Sequence, residues 1–305
     1  MKKEKHDLVI VGAGPAGISA GIYAARYKVD SIVVGSNPGG NLAESYSVEN
    51  YPGLEEATDG HVLGDHMLNQ LKRFGTNPIP DDIQVITKTK EGFTLLGRDT
   101  EYQAKTVLLA LGMARNKLGV PGENELEGKG VAYCATCDGF FYREKTVAVV
   151  GGGDSAVTAA LYLSDIATKV YLIVRKPELK AEPTWQEKLK KTKNVEVLYE
   201  TNVKEIQGVE KVEKVILDGK KSEIKVDGIF IEIGQTPQTV LYKSLGLKLT
   251  DKDLVIVDGA QRTSTKGVWA AGDITTNSNG LRQIVTAAAE GAVAAVDIFT
   301  ELKKM

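Results

Sequence analysis

Near the N terminus the chain reads Asp7-Leu8-Val9-Ile10-Val11-Gly12-Ala13-Gly14-Pro15-Ala16-Gly17, and an alanine-rich segment follows to about Tyr27. A short apolar run, a glycine turn and a helical stretch in immediate succession predict strand, turn and helix, the context a dinucleotide fingerprint requires. Gly12 permits the tight turn, Gly14 lets backbone approach a pyrophosphate, and Gly17 lets the helix pack on the strand. The phosphates then lie at the helix N-terminus, beside unpaired N–H groups. Position in the chain and flanking pattern both favour this over a merely structural turn.

The theme returns at Thr146-Val147-Ala148-Val149-Val150, followed by Gly151-Gly152-Gly153-Asp154-Ser155-Ala156 and a helical stretch to about Ile166. The spacing is G-x-G-x-x-A, a second dinucleotide turn. About twenty residues on, the strand Val170 to Val174 ends in Arg175-Lys176. An acidic residue there takes a ribose 2′-hydroxyl and a basic one a 2′-phosphate, so the pattern favours NADP over NAD. A solvated charged turn is the competing reading. After the first turn, the strand Ser31 to Val34 ends instead in Gly35-Ser36, with no ribose-binding acid.

Between the two turns come an amphipathic helix near Gly60 to Phe74 and short strands around Ile83 to Thr87 and Phe93 to Leu96. The buried strand Thr106 to Leu111 then closes in Gly112. Downstream, short strands are expected at Val255–Val257 and Val268–Ala271, then Gly272-Asp273, then a long helix from Leu281 to Leu302. This last segment has no fingerprint and most simply completes the first sheet. The expected fold is therefore α/β, with two Rossmann-like dinucleotide-binding domains, the second inserted into the first. Residues 1–113 and 240–305 form one domain and 114–239 the other, joined by polar crossings near 112–119 and 234–239.

Cys134 and Cys137, in Tyr133-Cys134-Ala135-Thr136-Cys137-Asp138-Gly139, are the only cysteines in 305 residues. A lone Cys-x-x-Cys holds two sulfurs close enough to close a small ring, and a helix starting there would lower a thiolate pKa. The reading is a redox-active dithiol. Structural zinc needs about four ligands, and His6, His61 and His66 form no second paired cluster, so no metal is expected. A purely structural disulfide across so short a loop removes little unfolded-state entropy. Inert buried cysteines fit poorly beside the polar, turn-forming Asp138-Gly139.

The length suits about two domains, and 42% hydrophobic with 26% charged residues describes a globular protein. A formal charge of −2 leaves no basic excess for a polyanion, so nucleic acid is not an expected partner. No run approaches the roughly 20 apolar residues of a membrane span, and the apolar run at Leu8–Val11 is too short for a signal segment. A cytoplasmic location is expected, where a Cys-x-x-Cys is more plausibly catalytic than a permanent staple.

Two glycine turns with Cys134-Ala135-Thr136-Cys137-Asp138 just before the second, together with Gly39-Gly40-Asn41-Leu42, Glu49-Asn50-Tyr51-Pro52-Gly53, Ala271-Gly272-Asp273 and Arg282-Gln283, resemble the low-molecular-weight thioredoxin reductases. The resemblance implies FAD on Gly12, Gly14, Pro15, Ala16 and Gly17. It places Asn41 and Asn50 on the same cofactor, Asp273 near the ribityl chain and Arg282-Gln283 at the isoalloxazine. Gly35, Ser36, Gly40, Leu42, Ala110, Gly112 and Gly272 complete the expected FAD contacts, and bacterial members can also lack an acid at Gly35-Ser36. NADPH is expected on Gly151, Gly152, Gly153, Asp154, Ser155, Ala156, Arg175, Lys176, Lys180 and Gly234. The resemblance further implies Cys134 and Cys137 as the redox pair, Asp138 as the acid/base that exchanges protons with them, a thioredoxin or glutaredoxin-like partner, and a homodimer.

The chain departs from the family at Val174-Arg175-Lys176 and Lys180, where NADPH-specific members carry His-Arg-Arg and a further Arg. Lysine lacks arginine's forked phosphate contact, so NADH, a reduced deazaflavin or ferredoxin stand beside NADPH as donors. A flavoprotein redox sensor that merely presents a regulatory disulfide is the reading from another class. Because the cysteine pair must meet both a buried flavin and a protein substrate, the inserted domain is expected to swing on its two crossings.

Overall fold

The computed structural model describes every residue except Tyr46 and Gln238. From the N terminus, β1 (Lys2–Val11) leads through the first glycine turn into α1 (Pro15–Arg26), then β2 (Ser31–Val34), α2 (Gly60–Arg73), β3 (Val85–Lys88), β4 (Phe93–Leu96) and β5 (Thr100–Leu109). β6 (Met113–Arg115) and β7 (Val131–Ala132) precede the single turn α3 (Ala135–Asp138). There follow β8 (Thr146–Val150), α4 (Asp154–Ser164), β9 (Lys169–Ile173), α5 (Pro183–Lys191), β10 (Val195–Leu198), β11 (Val203–Gln207), β12 (Lys214–Leu217), β13 (Glu223–Lys225) and β14 (Gly228–Ile231). β15 (Gln235–Pro237), α6 (Val240–Lys243), β16 (Val268–Ala270) and α7 (Ile284–Leu302) complete the order.

The chain divides into two compact units. One comprises Met1–Ala43, Val48–Ala114 and Pro237–Met305, the other Glu44–Ser47 and Arg115–Thr236. In the first, the sheet runs β2-β1-β5-β4-β3, with β16 also paired to β5. β1, β2, β5 and β16 are parallel, with Val9 opposite both Ile32 and Val107 and Trp269 opposite Leu108. β3 and β4 form an antiparallel pair on the N-terminal half of β5. Alternating residues of β1 feed opposite faces: Leu8 and Ile10 pack with Ile18, Ala20, Ala294 and Ile298, whereas Val9 and Val11 pack with Leu95, Tyr102, Val107 and Leu109. Burial on both faces is why the end of this strand is an unbroken apolar run.

β1 begins six residues before the apolar run at Leu8, at Lys2, because Lys2–His6 pair with Thr100–Ala104 on β5. Polar residues serve there because the edge is solvated, and Lys3 meets Glu101 at 3.2 Å. The expected strand at Val255–Val257 is reduced to bridges from Val255 to Leu249 and Thr275. The turn at Asp258, whose carboxylate accepts from Ala260 and Arg262 N–H, ends the extended run. α7 starts at Ile284 rather than Leu281, since Gln283 and Thr286 close a reciprocal cap at its N-terminus.

In the second unit the parallel sheet runs β10-β9-β8-β14-β7, accompanied by the antiparallel sheet β11-β12-β13. Val147, Val149, Val170 and Phe230 pack with Ala156, Ala160 and Leu163 of α4 on one side. Ala148, Ile173 and Ile229 pack with Val203, Val215 and Ile224 on the other. The fold class is the one the two turns predict. The connecting segments β6 and β15 pair as a two-stranded sheet.

Candidate functional site

The first glycine turn lies at the carboxyl ends of β1 and β5, where strand order reverses and open α/β sheets bind ligands. Gly12 has φ +117°, and a Cβ there would overlap the Ala110 carbonyl just beyond β5. Only glycine fits. Gly14 caps α1 with no side-chain hydrogen bond, and its Cα faces that of Gly40. Gly35 packs on the backbone of Ala13, and Gly39 N–H donates to Ala13 O at 2.8 Å. The result is a backbone-lined cradle at a helix N-terminus, which fits the pyrophosphate of FAD.

Other residues assigned by resemblance gather in the same unit. Asn41 Nδ2 donates to Met113 O at 3.2 Å, next to Gly112. Asn50 Nδ2 donates to Gln283 Oε1 at 3.1 Å. Ser36 Oγ reaches Asp82 at 3.4 Å, and Leu42 is part of the hydrophobic core. Burial raises the Asp273 carboxyl above the usual aspartate range, with Arg282 opposing and Glu290 adding to the shift. Glu290 itself eluded sequence reasoning because it stands in an alanine-rich helix. Its buried carboxylate accepts from Gly272 N–H at 2.8 Å, Thr275 Oγ1 at 2.9 Å and Ser278 Oγ at 2.6 Å. One side chain of α7 thus sets the path of the Gly272-Asp273 loop.

The second unit repeats the cradle. Gly151 has φ +144° and a Cβ there would overlap the Glu232 carbonyl beyond β14, as Gly12 would at Ala110. Gly153 caps α4 without a side-chain partner and opens onto free space, so the turn fits a dinucleotide phosphate. The following loop is tied back over the turn: Lys180 N–H donates to Gly152 O and Glu182 N–H to Asp154 Oδ1, each at 2.7 Å. Asp154 therefore orients this loop, on which Arg175, Lys176 and Lys180 are exposed. Gly234, with φ +92°, accepts from Asn116 N–H at 3.0 Å.

Cys134 and Cys137 are joined in a disulfide with their Cα atoms 5.3 Å apart. Cys134 caps α3, and Cys137 N–H donates to its sulfur at 3.1 Å, with Thr136 Oγ1 at 3.3 Å. At four residues α3 contributes little macrodipole, so the Cys137 N–H is the donor that would favour a thiolate at Cys134, since the Thr136 hydroxyl donates to Glu44 O at 2.9 Å. Cys137 is exposed and Cys134 half-buried. Burial raises the pKa of the adjoining Asp138, opposed by Arg115, so it holds its proton to higher pH than an ordinary aspartate. Beyond it Phe140 and Phe141 are 66% and 70% exposed, whereas Tyr142 packs edge-on against Phe230 in the core. Among the described residues no cluster of metal-ligating side chains is present.

Arg115, on β6, pairs with Glu44 and approaches Glu232 Oε1 at 3.4 Å. Burial pushes the Glu232 carboxyl up to about 7; Arg115 works against the shift and Glu44 with it. Sequence places Arg115 only within a polar crossing and gives no signal for Glu44 or Glu232, because charged residues at the ends of short elements usually face solvent.

The family model for pyridine nucleotide-disulphide oxidoreductases matches residues 6–291. The chain is 39% identical to a thioredoxin reductase of Bacillus subtilis, over 98% of its own length and 95% of the relative's. It resembles the crystal structure of Lactococcus lactis thioredoxin reductase in its FR conformation with a TM-score of 0.93 at 32% identity, covering 98% of this chain and 100% of that one. It resembles T. acidophilum thioredoxin reductase with a TM-score of 0.90 at 36% identity, covering 97% and 98%. With two glycine cradles and a disulfide between them in the sequence, the chain belongs to the pyridine nucleotide-disulphide oxidoreductase family, among the thioredoxin reductases.

Proposed function

We propose that the protein is a thioredoxin-disulfide reductase that takes electrons from NADPH and delivers them, through Cys134 and Cys137, to the disulfide of a thioredoxin or glutaredoxin-like protein. The observation that carries this reading is the closed Cys134–Cys137 disulfide with Asp138, whose pKa burial raises, beside it, in a chain with two glycine cradles. FAD, when bound, supplies the two-electron chemistry between nicotinamide and disulfide. The glycine turn at Gly12–Gly17 with Gly40, Asn41, Asn50, Asp273, Arg282 and Gln283 would hold it. The turn at Gly151–Ala156 with Gly234 and the basic loop would hold NADPH.

Two electrons and two protons convert the disulfide to a dithiol. Asp138 supplies a proton to the departing thiolate and takes one back when a thiol is next activated. One thiolate then attacks a sulfur of the partner's disulfide, and the second cysteine resolves the mixed disulfide, releasing the partner as a dithiol and restoring the bond here. Phe140 and Phe141, exposed beside the cysteines, offer an apolar contact for that partner.

Exposed Val285, Ala289, Val293 and Val296 form an apolar stripe along α7, which supports a homodimer. Turnover by thiol exchange suits the reducing cytoplasm, and among the described residues no helix is long and apolar enough to cross a membrane. The decisive experiment reduces the FAD-loaded protein without air and counts thiols as the flavin reoxidises. Two new thiols per chain are expected in the wild type, whereas Cys134→Ser, in which Cys137 is already a single free thiol, should gain none; their absence in the wild type refutes the reading. Repeating the reduction with NADPH, NADH, a reduced deazaflavin and ferredoxin identifies the donor.

A further inference from the structure

Glu123 is 1% exposed. A buried carboxylate is costly unless donors surround it, and this one accepts three hydrogen bonds. Leu118 N–H reaches Oε1 at 2.9 Å, Gly119 N–H reaches Oε2 at 2.6 Å, and the Tyr133 hydroxyl reaches Oε1 at 2.8 Å. The first two close the turn that follows β6. The third is of another kind, because Tyr133 immediately precedes Cys134.

β7 pairs with β14 only through Val131 opposite Ile229 and Ala132 opposite Phe230. The sheet ladder therefore ends two residues before Cys134, where a catalytic sulfur needs its backbone fixed. The Tyr133 side chain takes over at that point. Its hydroxyl is held by Glu123, and Lys117 Nζ lies 5.7 Å from the centre of its ring while pairing with Glu127 at 2.8 Å and Asn124 at 3.0 Å. Burial and the bond to Glu123 raise the phenol's pKa, so it remains a donor throughout the working range. On the other side of the disulfide, Gly139 packs against Tyr162 and Leu163 of α4.

We infer that Glu123, acting through the hydroxyl of Tyr133, is a positioning residue that anchors the Cys134 side of the disulfide to the turn at 118–123. The inference rests on the disulfide-reductase reading and deepens it. Misplacing a reacting sulfur by about 1 Å costs on the order of 10²-fold in rate, and loss of one anchoring bond should cost a good part of that.

The test uses FAD-loaded protein, reduced without air by dithionite, and follows the rate at which dithiol appears as the flavin reoxidises. Tyr133→Phe should slow this step about tenfold while FAD content and the rate of flavin reduction by NADPH stay unchanged. Glu123→Leu, which removes the acceptor of the Tyr133 hydroxyl, should slow it at least as much, and in the Tyr133→Phe background should add little, because both act through one bond. If the wild-type protein forms no dithiol, the reductase reading itself has failed. Wild-type transfer with an unaffected Tyr133→Phe, or multiplicative effects of the two substitutions, overturns the positioning role. Should Glu123→Leu not fold, the single-step rate of Tyr133→Phe decides alone.

Discussion

The side-chain amide of Asn50 donates to Oε1 of Gln283 at 3.1 Å, joining two residues 233 positions apart within the first unit. Gln283 also caps α7, so the Asn50 loop is tied to a helix N-terminus rather than to another loop. A neutral hydrogen bond is worth about 1 kcal/mol. Asn50→Ala should therefore weaken FAD binding about fivefold to tenfold, measured by recovery of flavin fluorescence on dilution. Undiminished affinity would separate this pair from the cofactor site.

Burial raises the Asp138 carboxyl above the usual aspartate range, with Arg115 opposing. The proton-donating form is present below its raised pKa and lost as pH rises through it. Asp138→Asn cannot donate, and should lower the rate of dithiol formation on the order of 10²-fold and flatten its pH profile. A variant that keeps the wild-type alkaline fall would assign the proton to another group.

Glu232 titrates near 7 in the folded protein against an ordinary 4.5. Between those values the folded state keeps a proton that the unfolded chain has lost, so stability falls as pH rises through this window and levels off above it. The full shift corresponds to roughly 3 kcal/mol. Glu232→Gln should remove most of that dependence, seen as urea midpoints that change less between pH 5 and pH 8 than the wild type's. An equal change in both proteins would place the titration elsewhere.

Burying an exposed phenylalanine side chain against a partner contributes about 1.5–3 kcal/mol. Phe140→Ala combined with Phe141→Ala should thus raise KM for thioredoxin tenfold or more, with the flavin-to-disulfide step intact. Steady-state and single-turnover rates distinguish the two, and an unchanged KM would move the docking surface away from these rings.

The exposed Arg175 is the one forked cation on the loop over the second turn. Arg175→Ala should raise KM for NADPH about tenfold and leave that for NADH unaltered, since only the former carries the 2′-phosphate. Lys176→Arg should tighten NADPH. Parallel losses for both donors would mean that the loop does not read the phosphate.

The features legible in the chain are those set by neighbours. Gly12, Gly14 and Gly17, and again Gly151 and Gly153, announce strand–turn–helix units because the steric demand of the turn falls on residues a few positions apart. Cys134 and Cys137 bond because three residues of a single turn bring their Cα atoms to 5.3 Å. Strand limits were less legible. β1 reaches back to polar Lys2 because a solvated edge pairs through backbone, to which side-chain pattern is blind.

Amino-acid order alone therefore determined the α/β class, the two glycine turns and the sulfur pair, since each depends on local backbone geometry and short-range spacing. Tertiary structure decided which distant groups serve them. Glu290 came to the Gly272-Asp273 loop, Asn50 to Gln283, Arg115 to Glu232, and Glu123 to Tyr133 beside the disulfide. The physical reason is that a buried carboxylate or amide is fixed by whichever donors the folded chain delivers within about 3 Å, and the path of the folded backbone, not the spacing of the residues, makes that delivery.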